Sequence, residues 1–150
     1  MPKKVQDVLI KIKGVQVAQG DRDVVELLTT GSFSRTKDAY FISYEESEAT
    51  GFQGARTTLR FDPTQQRVTM SRHGSVESQL IVEKGRRHQC NYETGYGSMT
   101  IGVSGDEIRS TLTDEGGNIF FRYSLDLNTA LTSENQVDII VSPANDAKVN

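Results

Sequence analysis

The chain has 150 residues, 35% hydrophobic and 25% charged, with thirteen Gly, three Pro, one Cys and no Trp. That size and balance suit one globular domain over residues 1–150, able to bury around 70% of its unfolded surface without metal or disulfide staples; Cys90 alone excludes an intramolecular disulfide. No apolar run approaches the roughly 20 residues of a spanning helix, and a net charge of −3 gives no broad attraction to phosphate backbones, so neither membrane nor nucleic acid is an expected partner.

Apolar residues recur at every second position rather than at three and four, so the chain reads as strands. Val8, Ile10 and Ile12 share one face; beyond Gly14 the apolar phase moves by one to Val15 and Val17, which predicts a bulge at the glycine. Lys11 and Lys13 interrupt this stretch and spoil it as a signal segment, so a reducing cytoplasm is the expected location. Further strands are predicted at Val24–Arg35, Ala39–Glu48, Arg56–Asp62, Arg67–His73, Ser78–Glu83, Arg87–Thr94, Gly97–Ser104, Glu107–Thr113, Asn118–Asn128 and Val137–Ser142. Asp62-Pro63-Thr64, Gly74, Lys84-Gly85, Gly95, Gly105-Asp106 and the run from Asp114 to Asn118 supply turn chemistry between them. Glu45–Gly54 reads as a mobile tip, Thr129–Gln136 as a loop or one helical turn, and the tail from about 143 as frayed. Short connections imply antiparallel neighbours, and eight to ten such strands favour closure into a barrel or folding into a sandwich.

Four segments stand in order through the chain: Tyr44-Glu45-Glu46, Val68-Thr69-Met70-Ser71-Arg72-His73-Gly74, Tyr92-Glu93-Thr94-Gly95-Tyr96-Gly97-Ser98-Met99, and Ile119-Phe120-Phe121-Arg122-Tyr123-Ser124-Leu125. The ordered set, from roughly Lys11 to Val141, resembles the YwiB-like family of bacterial domains of unknown function. That resemblance implies an all-β fold, an antiparallel up-and-down barrel of calycin or lipocalin type, and supplies no activity.

Residues two apart on a strand share a face, so the apolar phase names the polar residues that point inward. Tyr40, Ile42 and Tyr44 continue to Glu46; Val68 and Met70 continue to Arg72; Cys90 is joined by His88 and Tyr92; Phe121 and Leu125 flank Tyr123. Arg72, Glu46, Tyr44, His88, Tyr92 and Tyr123 are therefore the candidate binding residues, converging inside the barrel or at one mouth. The guanidinium of Arg72 would offer a planar fork of donors to an anion or carboxylate, with phenols beside apolar walls; alternatively Arg72 pairs with Glu46 as an internal strut.

Catalytic and cofactor chemistry finds little support. His88 and Cys90 lie roughly 6.6–6.8 Å apart along a strand with no orienting third group, so Cys90 reads as a small core residue. Two histidines and one cysteine give no zinc spacing, and His73 beside Gly74 reads as a surface residue. Glu45 and Glu46 point to opposite faces, and Gly95, Gly97 and Gly102 sit in strand-like surroundings unsuited to a phosphate loop. Arg86-Arg87 reads as a solvated strand end. Met70, Tyr92, Met99, Phe121, Tyr123 and Leu125 would crowd the interior and leave only a restricted pocket. The expectation is a non-enzymatic cytoplasmic barrel without cofactor, binding a small amphipathic or anionic ligand. The alternative is an interaction or scaffold module with a filled barrel, acting through its surface or as a homodimer.

Overall fold

The computed structural model describes residues 4–48, 53–75, 77–94 and 97–144. Ten strands follow in chain order: β1 (Lys4–Ala18), β2 (Asp21–Arg35), β3 (Tyr40–Glu45), β4 (Ala55–Asp62), β5 (Arg67–Gly74), β6 (Ser78–Glu83), β7 (Arg87–Thr94), β8 (Gly97–Ser110), β9 (Gly117–Leu127) and β10 (Ala130–Pro143). They form one antiparallel sheet in the order β6-β5-β4-β3-β2-β1-β10-β9-β8-β7, an up-and-down path rolled into a nearly closed barrel. β1 and β10 pair over ten residues, from Val8↔Pro143 to Val17↔Glu134, so the chain ends close the sheet by an ordinary ladder. The weak join lies between consecutive strands. Among the described residues β6 and β7 form no ladder: the bridge Glu83↔Arg86 closes the turn between them, and beyond it the Ile81 amide donates to Cys90 Sγ at 3.4 Å in place of a carbonyl.

Three local expectations are corrected. β1 runs through Gly14 in unbroken register with both neighbours, so no bulge forms there; Val15 and Val17 lie on the outer face while Ile12 and Gly14 face inward. Gly105-Asp106 is a bulge inside the single strand β8, not a turn between two strands. Its cause is the β6–β7 turn, which docks on it: the Gly85 amide donates to Gly105 O at 3.0 Å and the Gly105 amide to Arg86 O at 3.1 Å, where any Cβ would meet Glu83 O at 2.2 Å. Of Thr129–Gln136, all but Thr129 belongs to β10, because Asn128 (φ 51°) and Thr129 (φ 70°) make a two-residue turn of the kind that suits hairpin twist, with Asp126 Oδ1 accepting the Thr129 amide at 3.2 Å. Part of the predicted mobile tip, at 49–52, and the tail beyond 144 lie outside the described residues.

Inward rows of side chains follow from the register. Tyr40, Phe61, Val68 and Val82 face one another across β3 to β6, with Phe33 stacked on Tyr40 at 6.0 Å and Tyr40 on Phe61 at 6.3 Å. Ile42, Leu59, Met70 and Leu80 form the next row. The third reads Gly31, Tyr44, Thr57 and Arg72, so the apolar filling gives way to hydroxyls and a guanidinium towards one end of the barrel. Phe121 is wholly buried on the opposite wall, whereas Met99, expected inside, is 38% exposed.

Candidate functional site

At that polar end lies a cavity of about 200 Å³. One wall is Tyr44, Thr57, Leu59, Met70 and Arg72; the facing wall is Val25, Leu27, Ile12, Gly14, Val137, Ile139 and Tyr123. The void owes much to Gly14. Its backbone sits between Val25 and Val137 on the inner face, and a Cβ built there would meet nothing within 4 Å. Gly31, on the neighbouring strand, has the opposite role: its missing Cβ lets Ser43 O and Ile10 approach to 2.2 and 2.6 Å of where that atom would stand.

Glu46 supplies the charge at the polar end. The ladder continues one step past β3, with the Glu46 amide donating to Ala55 O at 2.9 Å, so the two-residue rhythm carries this side chain inward while Glu45 points out to Arg56. The Glu46 side chain is 1% exposed. It accepts from the Thr57 hydroxyl, from the Tyr44 hydroxyl and from Arg72 Nε at 3.3 Å, and Arg72 is itself 14% exposed. A buried carboxylate in water-poor surroundings is tolerable only with such partners. Burial, reinforced by the neighbouring Glu46 charge, pushes the Tyr44 phenol well above its usual value, and the Arg72 charge offsets part of that rise. Tyr44 is therefore a neutral donor at any physiological pH.

Four of the six residues named from the sequence thus border one space: Arg72, Glu46, Tyr44 and Tyr123. His88 does not join them. Its Nε2 lies 3.0 Å from Glu83 Oε1, at the β6–β7 join, because register sets Glu83 opposite Arg67 whereas Arg72 faces Ser78 at the other end of β6. The Tyr92 side chain lies outside the described residues. Thr57 was missed, although the alternation Ala55, Thr57, Leu59, Phe61 places it inside by the same rule, and it is 1% exposed. Gly14 was read as a bulge when its role is to leave space.

The charges outside the cavity serve the wall. Glu83, 12% exposed at its side chain, joins β5, the β6–β7 turn and β7 by bonds to Arg67 Nη2 at 2.8 Å, Arg86 Nε at 3.1 Å and His88. Those partners, Arg67 first, hold its carboxyl below the usual range. Arg87, read as a solvated end, lies as a two-pronged fork on Asp126 at 2.7 and 3.0 Å over Gly102, where a Cβ would collide with both side chains. A wider concavity of about 610 Å³ on the outer face, between Val15, Val17, Ser124 and Gln136, is an open groove whose Arg122 is engaged by Asp106 and Glu107 at 2.7 and 3.2 Å. Cys90 is buried, and burial raises its thiol above the usual value, the reverse of an activated nucleophile. His73 is exposed beside Glu77 at 2.7 Å. Among the described residues, no group of three His, Cys, Asp or Glu side chains could hold a metal ion, and no helix is long and apolar enough to cross a membrane.

A match to the domain of unknown function DUF1934 spans residues 10–139, from within β1 to within β10. The chain belongs to the DUF1934 family. It is 24% identical over 118 residues to the uncharacterized beta-barrel protein YwiB of Bacillus subtilis (strain 168), covering 79% of this chain and 80% of that one. The crystal structure of ywiB protein from Bacillus subtilis superposes with a TM-score of 0.76 at 20% identity, over 91% of this chain and 92% of that chain. The barrel architecture of this DUF1934 domain is thus shared with a solved relative; a likeness at that identity speaks to the fold alone.

Proposed function

We propose that the barrel binds a small amphipathic molecule in the cavity bordered by Gly14, Tyr44, Thr57, Arg72 and Tyr123, without chemical turnover. The observation that carries this reading is the cavity itself: aliphatic walls from Ile12, Val25, Leu27, Leu59, Met70, Val137 and Ile139 converge on one buried cluster of polar groups. That combination of apolar lining and a few convergent polar groups is the usual make-up of a small-molecule site. Its volume, at about 30 Å³ per water in the liquid, equals roughly seven waters, the bulk of a compound of about seven to ten non-hydrogen atoms. A single buried cysteine suits a reducing compartment, which supports the cytoplasm as the proposed location.

Native mass spectrometry of protein purified from its host, beside the variant Gly14→Leu, tests the reading. A small adduct on the wild type that is lost from the folded Gly14→Leu protein is the expected result. Protein free of adducts, together with no chemical-shift change at the cavity residues against a panel of small amphiphiles at millimolar concentration, would overturn it.

A further inference from the structure

We infer that two copies of this chain associate edge to edge through the first half of β2, antiparallel about a twofold axis at Val24. This association is independent of the cavity and of any ligand in it.

β2 pairs with β1 along its whole length, from Asp21 to Arg35, but with β3 only from Gly31 onward. Among the described residues no strand covers the other side of Asp21 to Thr30, which leaves a long open sheet edge. The backbone groups it offers follow from the turn before it. Gln19 (φ 53°) and Gly20 (φ 82°) form a two-residue hairpin turn, whose closing pair Ala18↔Asp21 exchanges both ladder bonds. Pairs alternate from there, so Asp21, Asp23, Val25 and Leu27 bond to β1, while the N–H and C=O of Arg22, Val24, Glu26 and Leu28 point to the open side. An edge of this kind recruits another strand unless something guards it.

Charge is the usual guard, and here the charges match a second copy instead of repelling it. Antiparallel pairing about Val24 sets Val24 against Val24, and Arg22 against Glu26 of the second copy, twice over by symmetry. All three residues are exposed, and among the described residues neither Arg22 nor Glu26 forms an ion pair within its own chain. The same register makes these three pairs hydrogen-bonded ones, because their backbones all face the open side. An axis at Glu26 would oppose two carboxylates, and one at Val25 would leave Arg22 opposite Leu28. With the axis at Val24 the second copy turns away at Gly20, opposite Leu28, before the pairing reaches Gly31 and β3. The two Asp23 carboxylates fall on diagonal positions roughly 7–8 Å apart in exposed surroundings, a small opposing contribution.

Sedimentation equilibrium of the full-length protein at pH 7 and low salt, from about 1 to 100 µM, measures the association. A dimer is the expected species at the upper end. Val24→Pro removes an N–H that points to the open side and none that bonds to β1, so this variant should stay folded by circular dichroism and be monomeric. Arg22→Glu opposes two carboxylates at both ends of the pairing and should weaken the dimer at least about 10-fold, as should Glu26→Arg with its opposed guanidinium groups. The double variant Arg22→Glu/Glu26→Arg should recover the wild-type constant, since each reversed charge again meets its opposite. If Val24→Pro does not fold, these charge variants decide. Wild type that stays monomeric at the highest concentration, or a dimer indifferent to Val24→Pro and to the single reversals, would overturn the inference. Single reversals that weaken the dimer with no recovery in the double variant would overturn the register about Val24.

Discussion

Replacing Arg72 by Leu tests the energetics of the buried pair most directly. Glu46 is 1% exposed, and its separation of 3.3 Å from Arg72 Nε corresponds to an attraction of about 5 kcal/mol at an effective dielectric constant of 20. Much of that offsets the desolvation of both groups, so the pair as a whole contributes little relative to an apolar filling. Removing one member alone is different, because the carboxylate then remains buried without its guanidinium partner. The expected loss is about 3–5 kcal/mol. At roughly 2–4 °C per kcal/mol for a chain of this length, the melting temperature should fall by about 6–20 °C. Glu46→Leu should cost a similar amount, whereas the double variant Glu46→Leu/Arg72→Leu should lose at least about 2 kcal/mol less than the sum of the singles. Urea unfolding of all four proteins, read by far-ultraviolet circular dichroism, measures the cycle. Single losses below about 1 kcal/mol that simply add would mean that water screens the pair, and the burial of Glu46 described above would be wrong.

Three further outcomes are expected. Gly14→Ala and Gly31→Ala, inner-face changes on adjacent strands, should move stability in opposite directions: up to about 1 kcal/mol gained at Gly14, where the added carbon meets nothing, and about 1–3 kcal/mol lost at Gly31, where it meets backbone; denaturant midpoints decide. The Tyr44 phenol has a folded value above its unfolded one, so the stability linked to it is complete below about pH 10 and is lost as pH rises beyond; ultraviolet titration should show the same number of tyrosines ionising in the folded wild type and in Tyr44→Phe, and one more in the wild type would contradict the burial. Glu83 and Asp126 have folded values below their unfolded ones, so their contribution is present above about pH 4 and lost as pH falls through the depressed values. Glu83→Gln should flatten part of that acid-side loss and, by loosening the β6–β7 join, quicken labelling of Cys90 by a disulfide reagent at pH 8; an unchanged labelling rate would show that the Glu83 bonds do not hold the join.

The alternation of side chains along each strand was legible in the sequence, and it sufficed for the all-β class and for the inward direction of Tyr44, Glu46, Arg72 and Tyr123, because a period of two is a property of the extended backbone itself. Thr57 lay within reach of the same rule. What alternation does not carry is the partner across the sheet. Register set Tyr44, Thr57 and Arg72 in one row, and set His88 beside Glu83 at the other end of β6. The apolar phase change at Gly14 looked like a kink because both faces of β1 are partly covered there, Val15 by the outer groove and Ile12 by the core; only the closed barrel distinguishes the two. The empty space beside Gly14 is likewise a tertiary fact. A missing side chain leaves a cavity only when the opposite walls are held too far apart to collapse into it, and that distance is fixed by ten strands closing on one another, not by any stretch of the chain alone.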